Sequence, residues 1–124
     1  MDRANALDSR TLEALTQLGG AEFLTDLIAL FETHGRELAI RLTIAADAGR
    51  LDDAFNAAHQ LKSSAMTLGL HAVQQSATRV EEAARSGAFD DIRELVVQLS
   101  SAVSEAILLL RQYPTGGGNP APRP

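Results

Sequence analysis

The chain has 124 residues, enough for one domain with a single core, and no cysteine, which excludes disulfides, thiolate nucleophiles and thiolate zinc sites. Hydrophobic residues make up 45% of it and aromatic residues only 4%, a balance rich in alanine and leucine that favours helix packed on helix over sheets. The formal net charge of -5, without any cluster of Lys and Arg, argues against nucleic acid as a partner.

The N-terminal stretch MDRANALDSR is charged and lacks the apolar run of a signal peptide. The longest uninterrupted apolar run, AILLL at residues 106–110, is far shorter than the about 20 residues that a membrane span needs. We therefore expect a cytoplasmic protein with no membrane partner.

Glycines divide the chain into segments with helical periodicity. A short first helix, with Asp8 or Ser9 as its cap, is expected to end at the glycine pair 19–20. The next segment, residues 21–48, is interrupted by Gly35, where we expect a bend because glycine is a poor helix former. Three further helices are predicted over about residues 51–68, 70–86 and 88–112.

These segments predict an all-α fold. Four long amphipathic helices joined by short breaks should form an up-down antiparallel four-helix bundle, with the short N-terminal helix as an addition. We assign the bundle domain to residues 1–112. Residues 113–124, which contain PTGGGNPAPRP, have nothing to bury and are predicted to be a flexible Pro- and Gly-rich tail.

The predicted helix over residues 51–68 carries a histidine on its outward face. Five small or apolar residues gather on one side of a helical wheel and form its core stripe: Ala54, Ala58, Leu61, Ala65 and Leu68. His59 lies roughly opposite that stripe. Four residues fall within about 60° of the histidine: Phe55, Lys62, Ser63 and Met66.

Two interpretations of this outward face remain open at this point. A surface histidine with a neighbouring lysine is most often a pair of solvated side chains. The large residues Phe55 and Met66 favour a docking surface instead, although Phe55 packing sideways against a neighbouring helix fits the spacing equally well.

A phosphoryl-accepting site is the chemistry that fits these residue types. Neutral imidazole is a good nucleophile near neutral pH, and a phosphohistidine would carry roughly two negative charges that Lys62, one turn away, can pair with. The chain has no glycine-rich phosphate loop or Walker lysine, so the phosphoryl group must arrive on another protein.

The stretch AHQLKSSAMTLGL resembles the signature of histidine-containing phosphotransfer (Hpt) domains, usually close to AHxLKGSSxxLG. The resemblance covers about residues 7–112 and implies a four-helix bundle with His59 as phosphoacceptor. It also implies that Lys62 steadies the phosphoryl group and that Gly69 ends the active helix.

The resemblance further implies that Glu81, on the following helix, contacts and orients the histidine. The alternative for Glu81 is an ordinary solvated glutamate with Arg85 four residues on. The chain departs from the family pattern at Ser63, where glycine is usual. A hydroxyl beside the histidine would narrow access, hydrogen-bond the ring or phosphoryl oxygens, or select among partners.

The function implied is that of a phosphorelay intermediate, which is neither a kinase nor a hydrolase. His59 would take a phosphoryl group from a receiver-domain aspartate and pass it to another receiver. We expect a monomer whose partners are receiver domains or a hybrid histidine kinase. It should need no cofactor of its own, because the receiver brings Mg²⁺.

The alternative is a phosphate-independent module that docks a receiver or histidine kinase, and Ser63 is the only feature that favours it. A metal site built from His34, His59 and His71 is disfavoured, because these histidines fall on different helices or helix ends without paired ligands at i, i+4 spacing.

Overall fold

The computed structural model describes residues 7–114, which form four helices and no strand. Their bounds are α1 Ser9–Ala48, α2 Leu51–Leu68, α3 His71–Ser86 and α4 Phe89–Gln112. Helix α1 packs against α2 and α4, and α3 packs against the same two helices. Connections of two residues make each helix run back along the one before it. The all-α prediction and its four long helices are confirmed.

The separate N-terminal helix is not confirmed, because residues 9–48 form one helical element with a break inside it. At Gly20 the backbone leaves the helical region, with φ 91° and ψ 172°, which only glycine adopts without strain. The bend expected at Gly35 is wrong. Gly35 is helical and buried, and a Cβ there would lie 3.4 Å from Val103 Cγ1 of α4, which is ordinary van der Waals contact.

The core is built mainly from leucine and alanine. Eleven large side chains are fully buried: Leu12, Leu24, Leu42, Leu61, Leu68, Leu70, Ile92, Leu99, Leu110, Val73 and Val80. All five residues of the stripe predicted on α2 are buried as well. This packing fixes the rotation of α2 about its axis, so its opposite face, with His59, points to solvent.

By length and composition alone, α1 is apolar enough to cross a membrane, and this is weak evidence because the core helices of bundles pass the same test. Its Leu24, Phe31 and Leu42 are buried in the core of the bundle. At the other end of the chain, Tyr113 packs partly against the core. The rest of the predicted tail beyond Pro114 lies outside the described residues.

Candidate functional site

His59 lies in the middle of α2, and its side chain is 59% exposed. Its Nδ1 lies 2.8 Å from Oε2 of Glu81, which is on α3. The other oxygen of the same carboxylate, Oε1, accepts a hydrogen bond of 2.6 Å from Nζ of Lys62. Glu81 therefore joins the two side chains that α2 presents one turn apart.

Glu81 is the unusual member of the group, because its side chain is only 6% exposed. Burial alone would raise the pKa of this carboxyl group, but the hydrogen bonds from Lys62 and His59 and the positive charge of Lys62 outweigh it. The pKa of Glu81 therefore lies below its ordinary value. The alternative of a solvated Glu81 paired with Arg85 does not describe this buried carboxylate.

The ionisation of Glu81 assigns the proton on the imidazole. An ionised carboxylate has no hydrogen to donate, so the hydrogen bond at 2.8 Å requires that His59 Nδ1 carries the hydrogen. In the neutral ring the lone pair then lies on Nε2. Among residues 7–114, Nε2 has no hydrogen-bond partner. The buried carboxylate of Glu81 thus sets the tautomer of the His59 ring and leaves Nε2 as the exposed nucleophilic nitrogen.

The ammonium group of Lys62 points toward Glu81. Its side chain is 28% exposed, and its ammonium group donates a hydrogen bond to Glu81. The lysine therefore already has a fixed partner next to the imidazole. An ammonium group has three donors, so two remain for other oxygens.

Phe55 covers one side of the histidine. Its ring lies parallel to the His59 ring, with an interplanar angle of 6° and a centroid separation of 6.1 Å. The guanidinium carbon of Arg85 lies 5.2 Å from the Phe55 ring centroid. This contact of Arg85 was missed from the sequence, because it depends on how α3 packs against α2.

The remaining predicted residues follow Lys62 along the chain. Ser63 is exposed, its carbonyl oxygen accepts from the Thr67 hydroxyl, and its own hydroxyl has no hydrogen bond among residues 7–114. Met66 is 60% exposed. Gly69 is buried at the end of α2 with φ 68°, against the start of α1.

The other two histidines are not part of the site. His71 begins α3 and its Nε2 lies 3.0 Å from Oδ2 of Asp8, whereas His34 lines a surface groove between α1 and α2. In the described part of the chain, no three His, Cys, Asp or Glu side chains are grouped in a way that could hold a metal ion.

The family model for the Hpt domain matches residues 23–108, which is more than half of the chain. The chain belongs to the Hpt domain family. Hpt domains are phosphotransfer modules and not kinases, so this membership gives the chain a histidine phosphotransfer role in two-component signalling. Receiver domains and histidine kinases are the partners of the family.

Two known proteins illustrate the relationship. Sensor protein TorS of Escherichia coli (strain K12) is 34% identical over 77 residues, which are 62% of this chain and only 8% of TorS. The crystal structure of histidine-containing phosphotransfer protein B (HptB) from Pseudomonas aeruginosa PAO1 superposes with a TM-score of 0.81 at 23% identity. That match covers 86% of this chain and 92% of HptB, and it shows the common fold.

Proposed function

We propose that this Hpt domain is a relay intermediate: His59 accepts a phosphoryl group from the aspartate of one receiver domain and passes it to the aspartate of another. The observation that carries the proposal is the bond between His59 Nδ1 and the buried carboxylate of Glu81, which leaves Nε2 outward. The single exposed lone pair is what an incoming acyl phosphate needs.

In the first transfer, the lone pair of Nε2 forms a P–N bond while the P–O bond to the receiver carboxylate breaks. The carboxylate leaves with the electron pair, and Nδ1 keeps its hydrogen. Positive charge that develops on the imidazole then lies beside ionised Glu81, which stabilises the transition state electrostatically. In the second transfer, the carboxylate of the next receiver attacks phosphorus and the imidazole leaves.

Lys62 has two roles in this proposal. It keeps one hydrogen bond to Glu81, and its positive charge compensates the negative charge of that buried carboxylate. Its remaining donors pair with oxygens of the phosphoryl group, as a flexible ammonium group is able to do. The domain needs no cofactor of its own, because the receiver brings Mg²⁺ and most of the groups that stabilise the transferring phosphoryl.

Phe55, Ser63 and Met66 form the docking surface around His59 in this proposal. Support comes from the exposure of Met66 and Ser63 on the same outward face as the histidine. An apolar residue that is largely exposed beside a reacting group suits a transient protein contact.

The proposal also includes the wider organisation of the chain. We place the bundle domain at residues 1–112, and we regard the segment before Gly20 as a short helix in its own right. The domain acts as a cytoplasmic monomer.

The test is a three-component transfer in the presence of Mg²⁺. A receiver domain carrying radiolabelled aspartyl phosphate is mixed with the Hpt domain, and a second receiver is then added. We expect acid-labile label on the Hpt domain first and on the second receiver afterwards. His59→Gln should abolish both steps, and His71→Gln is the matched control that should leave them unchanged.

Other outcomes would contradict the proposal. Label that survives His59→Gln, or that maps to His34 or His71, would show a different phosphoacceptor. Receiver binding without any phosphoryl transfer, across the organism's full set of receivers, would favour the phosphate-independent docking module. The variant to test next would then be Ser63→Gly, which removes the hydroxyl that departs from the family pattern.

A further inference from the structure

Phe55 makes two ring contacts at the site, and phosphoryl chemistry alone does not account for them. The imidazole of His59 lies parallel to the ring of Phe55, and the guanidinium of Arg85 lies over the Phe55 ring. Phe55 and His59 are one turn apart on α2, whereas Arg85 comes from α3. Arg85 has no ion pair with Glu81 among residues 7–114, so its described contact is with Phe55.

We infer that Phe55 and Arg85 are positioning residues that hold the His59 ring in its reactive orientation, and that Arg85 acts through Phe55. The inference rests on the proposed function, since it concerns the same histidine. Neither residue touches the phosphoryl group in this role.

The hydrogen bond to Glu81 is insufficient to position the ring by itself. It fixes one ring atom, Nδ1, and leaves the plane of the imidazole able to swing about that contact. With 59% of its side chain exposed, His59 has few packing contacts to restrict that motion. Each orientation away from the line of attack lowers the fraction of molecules that are ready to react.

Phe55 supplies the missing restraint. A parallel ring with its centroid 6.1 Å away is an offset stack, and it limits rotation of the imidazole out of its plane. Residues four apart on a helix face each other, so the backbone of α2 sets this contact. The hydrogen bond to Glu81 fixes the position of Nδ1, and the stacked Phe55 ring limits rotation of the imidazole out of its plane.

Arg85 in turn holds Phe55. The negative face of a phenyl ring attracts a cation, and the planar guanidinium can lie flat against it. Arg85 follows Glu81 by one turn of α3, so α3 reaches His59 along two routes, directly through Glu81 and indirectly through Arg85 and Phe55. The half-buried Phe55 side chain would otherwise keep much of its rotational freedom.

A small phosphoryl donor separates positioning from docking. Phosphoramidate transfers its phosphoryl group to Nε2 when its P–N bond breaks and its nitrogen leaves as ammonia with a proton from water. Because no partner surface is involved, a docking role for Phe55 or Arg85 would not affect this reaction. We expect Phe55→Leu to slow it about three- to tenfold and Arg85→Gln about two- to fivefold.

A double-mutant cycle tests the order of action. If Arg85 acts through Phe55, Arg85→Gln should have no further effect in the Phe55→Leu background. Phe55→Tyr retains the aromatic face and should restore the rate to within about twofold of the wild type. Arg79→Gln removes an exposed arginine of the same helix and is the matched control, with an unchanged rate.

Nuclear magnetic resonance of the His59 ring gives a readout that needs no phosphoryl transfer. In Phe55→Leu the ring protons should lose the ring-current shift from the phenyl group and the imidazole should become more mobile, while the nitrogen shifts still report hydrogen on Nδ1. This separates the inference from the proposed function: a wild-type chain that no donor phosphorylates would end the proposed function, and the ring measurement would still decide the inference.

Two results would overturn the inference. One is an unchanged mobility of the His59 ring in Phe55→Leu. The other is an Arg85→Gln effect that persists undiminished in the Phe55→Leu background, because Arg85 would then act on the reaction without Phe55.

Discussion

Two histidine–carboxylate pairs lie among the residues that the structure describes, and they differ in how deeply the carboxylate is buried. His59 and His71 have side chains that are 59% and 58% exposed. Their contact distances are also similar, 2.8 Å to Glu81 and 3.0 Å to Asp8. The carboxylate side chains, however, are 6% exposed for Glu81 and 27% exposed for Asp8.

The difference determines which ring nitrogen remains available. Buried Glu81 contacts Nδ1, the nitrogen nearer the backbone, and leaves the outer Nε2 of His59 without a described partner. Asp8 contacts Nε2 of His71 and uses its other oxygen to accept from the backbone nitrogen of Thr11 at the start of α1. The first arrangement presents a nucleophile, and the second ties two helix ends together.

Removing each carboxylate should separate the two roles most clearly. Glu81→Ala deletes the acceptor of both His59 and Lys62, and we expect phosphoryl transfer to slow about ten- to a hundredfold, the cost of hydrogen bonds to a charged group. Asp8→Ala should leave the transfer rate unchanged. The rate of phosphorylation by a phosphorylated receiver is measured for both variants. A Glu81→Ala variant as fast as the wild type would show that Glu81 does not support transfer more than Asp8 does.

Substitution of Gly69, at the end of α2, tests how tightly this residue packs against Asp8 and Thr11. In Gly69→Ala, a Cβ would lie 2.9 Å from the Cβ atoms of Asp8 and Thr11, on a residue with φ 68°. We expect the free energy of unfolding to fall by about 2 kcal/mol or more.

The matched control for that variant is Gly87→Ala, with φ 76° and nothing within 4 Å of the added carbon. It should lose only about 1 kcal/mol, the cost of the left-handed backbone. Urea denaturation of both proteins measures the difference. Equal losses would show that the contact of Gly69 with α1 contributes nothing.

Asp8 itself should contribute to stability and not to transfer. Asp8→Ala removes the cap of α1, where the Asp8 side chain accepts from Thr11 N at 3.2 Å, and it should lower the free energy of unfolding by about 1 kcal/mol. His71→Gln keeps the cap and should cost less. Thermal unfolding followed by circular dichroism compares the two, and a larger loss for His71→Gln would contradict the capping role.

The free energy of unfolding should fall at acid pH through both Asp8 and Glu81, because both carboxyl groups have a lowered pKa in the folded chain. The hydrogen bond with His71 is the largest cause that lowers the pKa of Asp8, and Lys62 and His59 lower that of Glu81 against the effect of burial. A lowered pKa adds stability above the ordinary values of 3.8 and 4.5, and this stability is lost as the pH falls through the lower folded values.

Denaturation at about pH 6 and about pH 3 should therefore show a smaller acid loss in Glu81→Gln and in Asp8→Asn than in wild type. An acid loss that is the same in all three proteins would contradict these pKa directions.

Helical periodicity was enough to predict four long helices and the core stripe of α2, because spacing at three and four residues determines which face is buried. The helix end expected at the glycine pair 19–20 coincides with the break at Gly20, whereas the bend expected at Gly35 is absent. Gly35 is a lone glycine inside helical spacing, and its helical, buried state depends on the packing of α1 in the bundle, which local spacing does not report.

The site was predictable from the sequence in part. The wheel put His59, Lys62 and Phe55 on one face, but the burial of Glu81 depends on how α3 packs against α2, which no local pattern reports. The contact between Arg85 and Phe55 has the same origin. The Asp8–His71 pair spans 63 residues of sequence and depends on the closure of the bundle.

The central claim is that buried Glu81 holds Nδ1 of His59 and thereby selects Nε2 as the nucleophile. The most direct measurement is nitrogen and phosphorus magnetic resonance of the chain after phosphorylation by a receiver domain, with the histidines labelled with ¹⁵N. We predict one phosphohistidine, at His59, with phosphorus bonded to Nε2 and hydrogen on Nδ1. Phosphorus on Nδ1 of His59, or on His34 or His71, would contradict the claim.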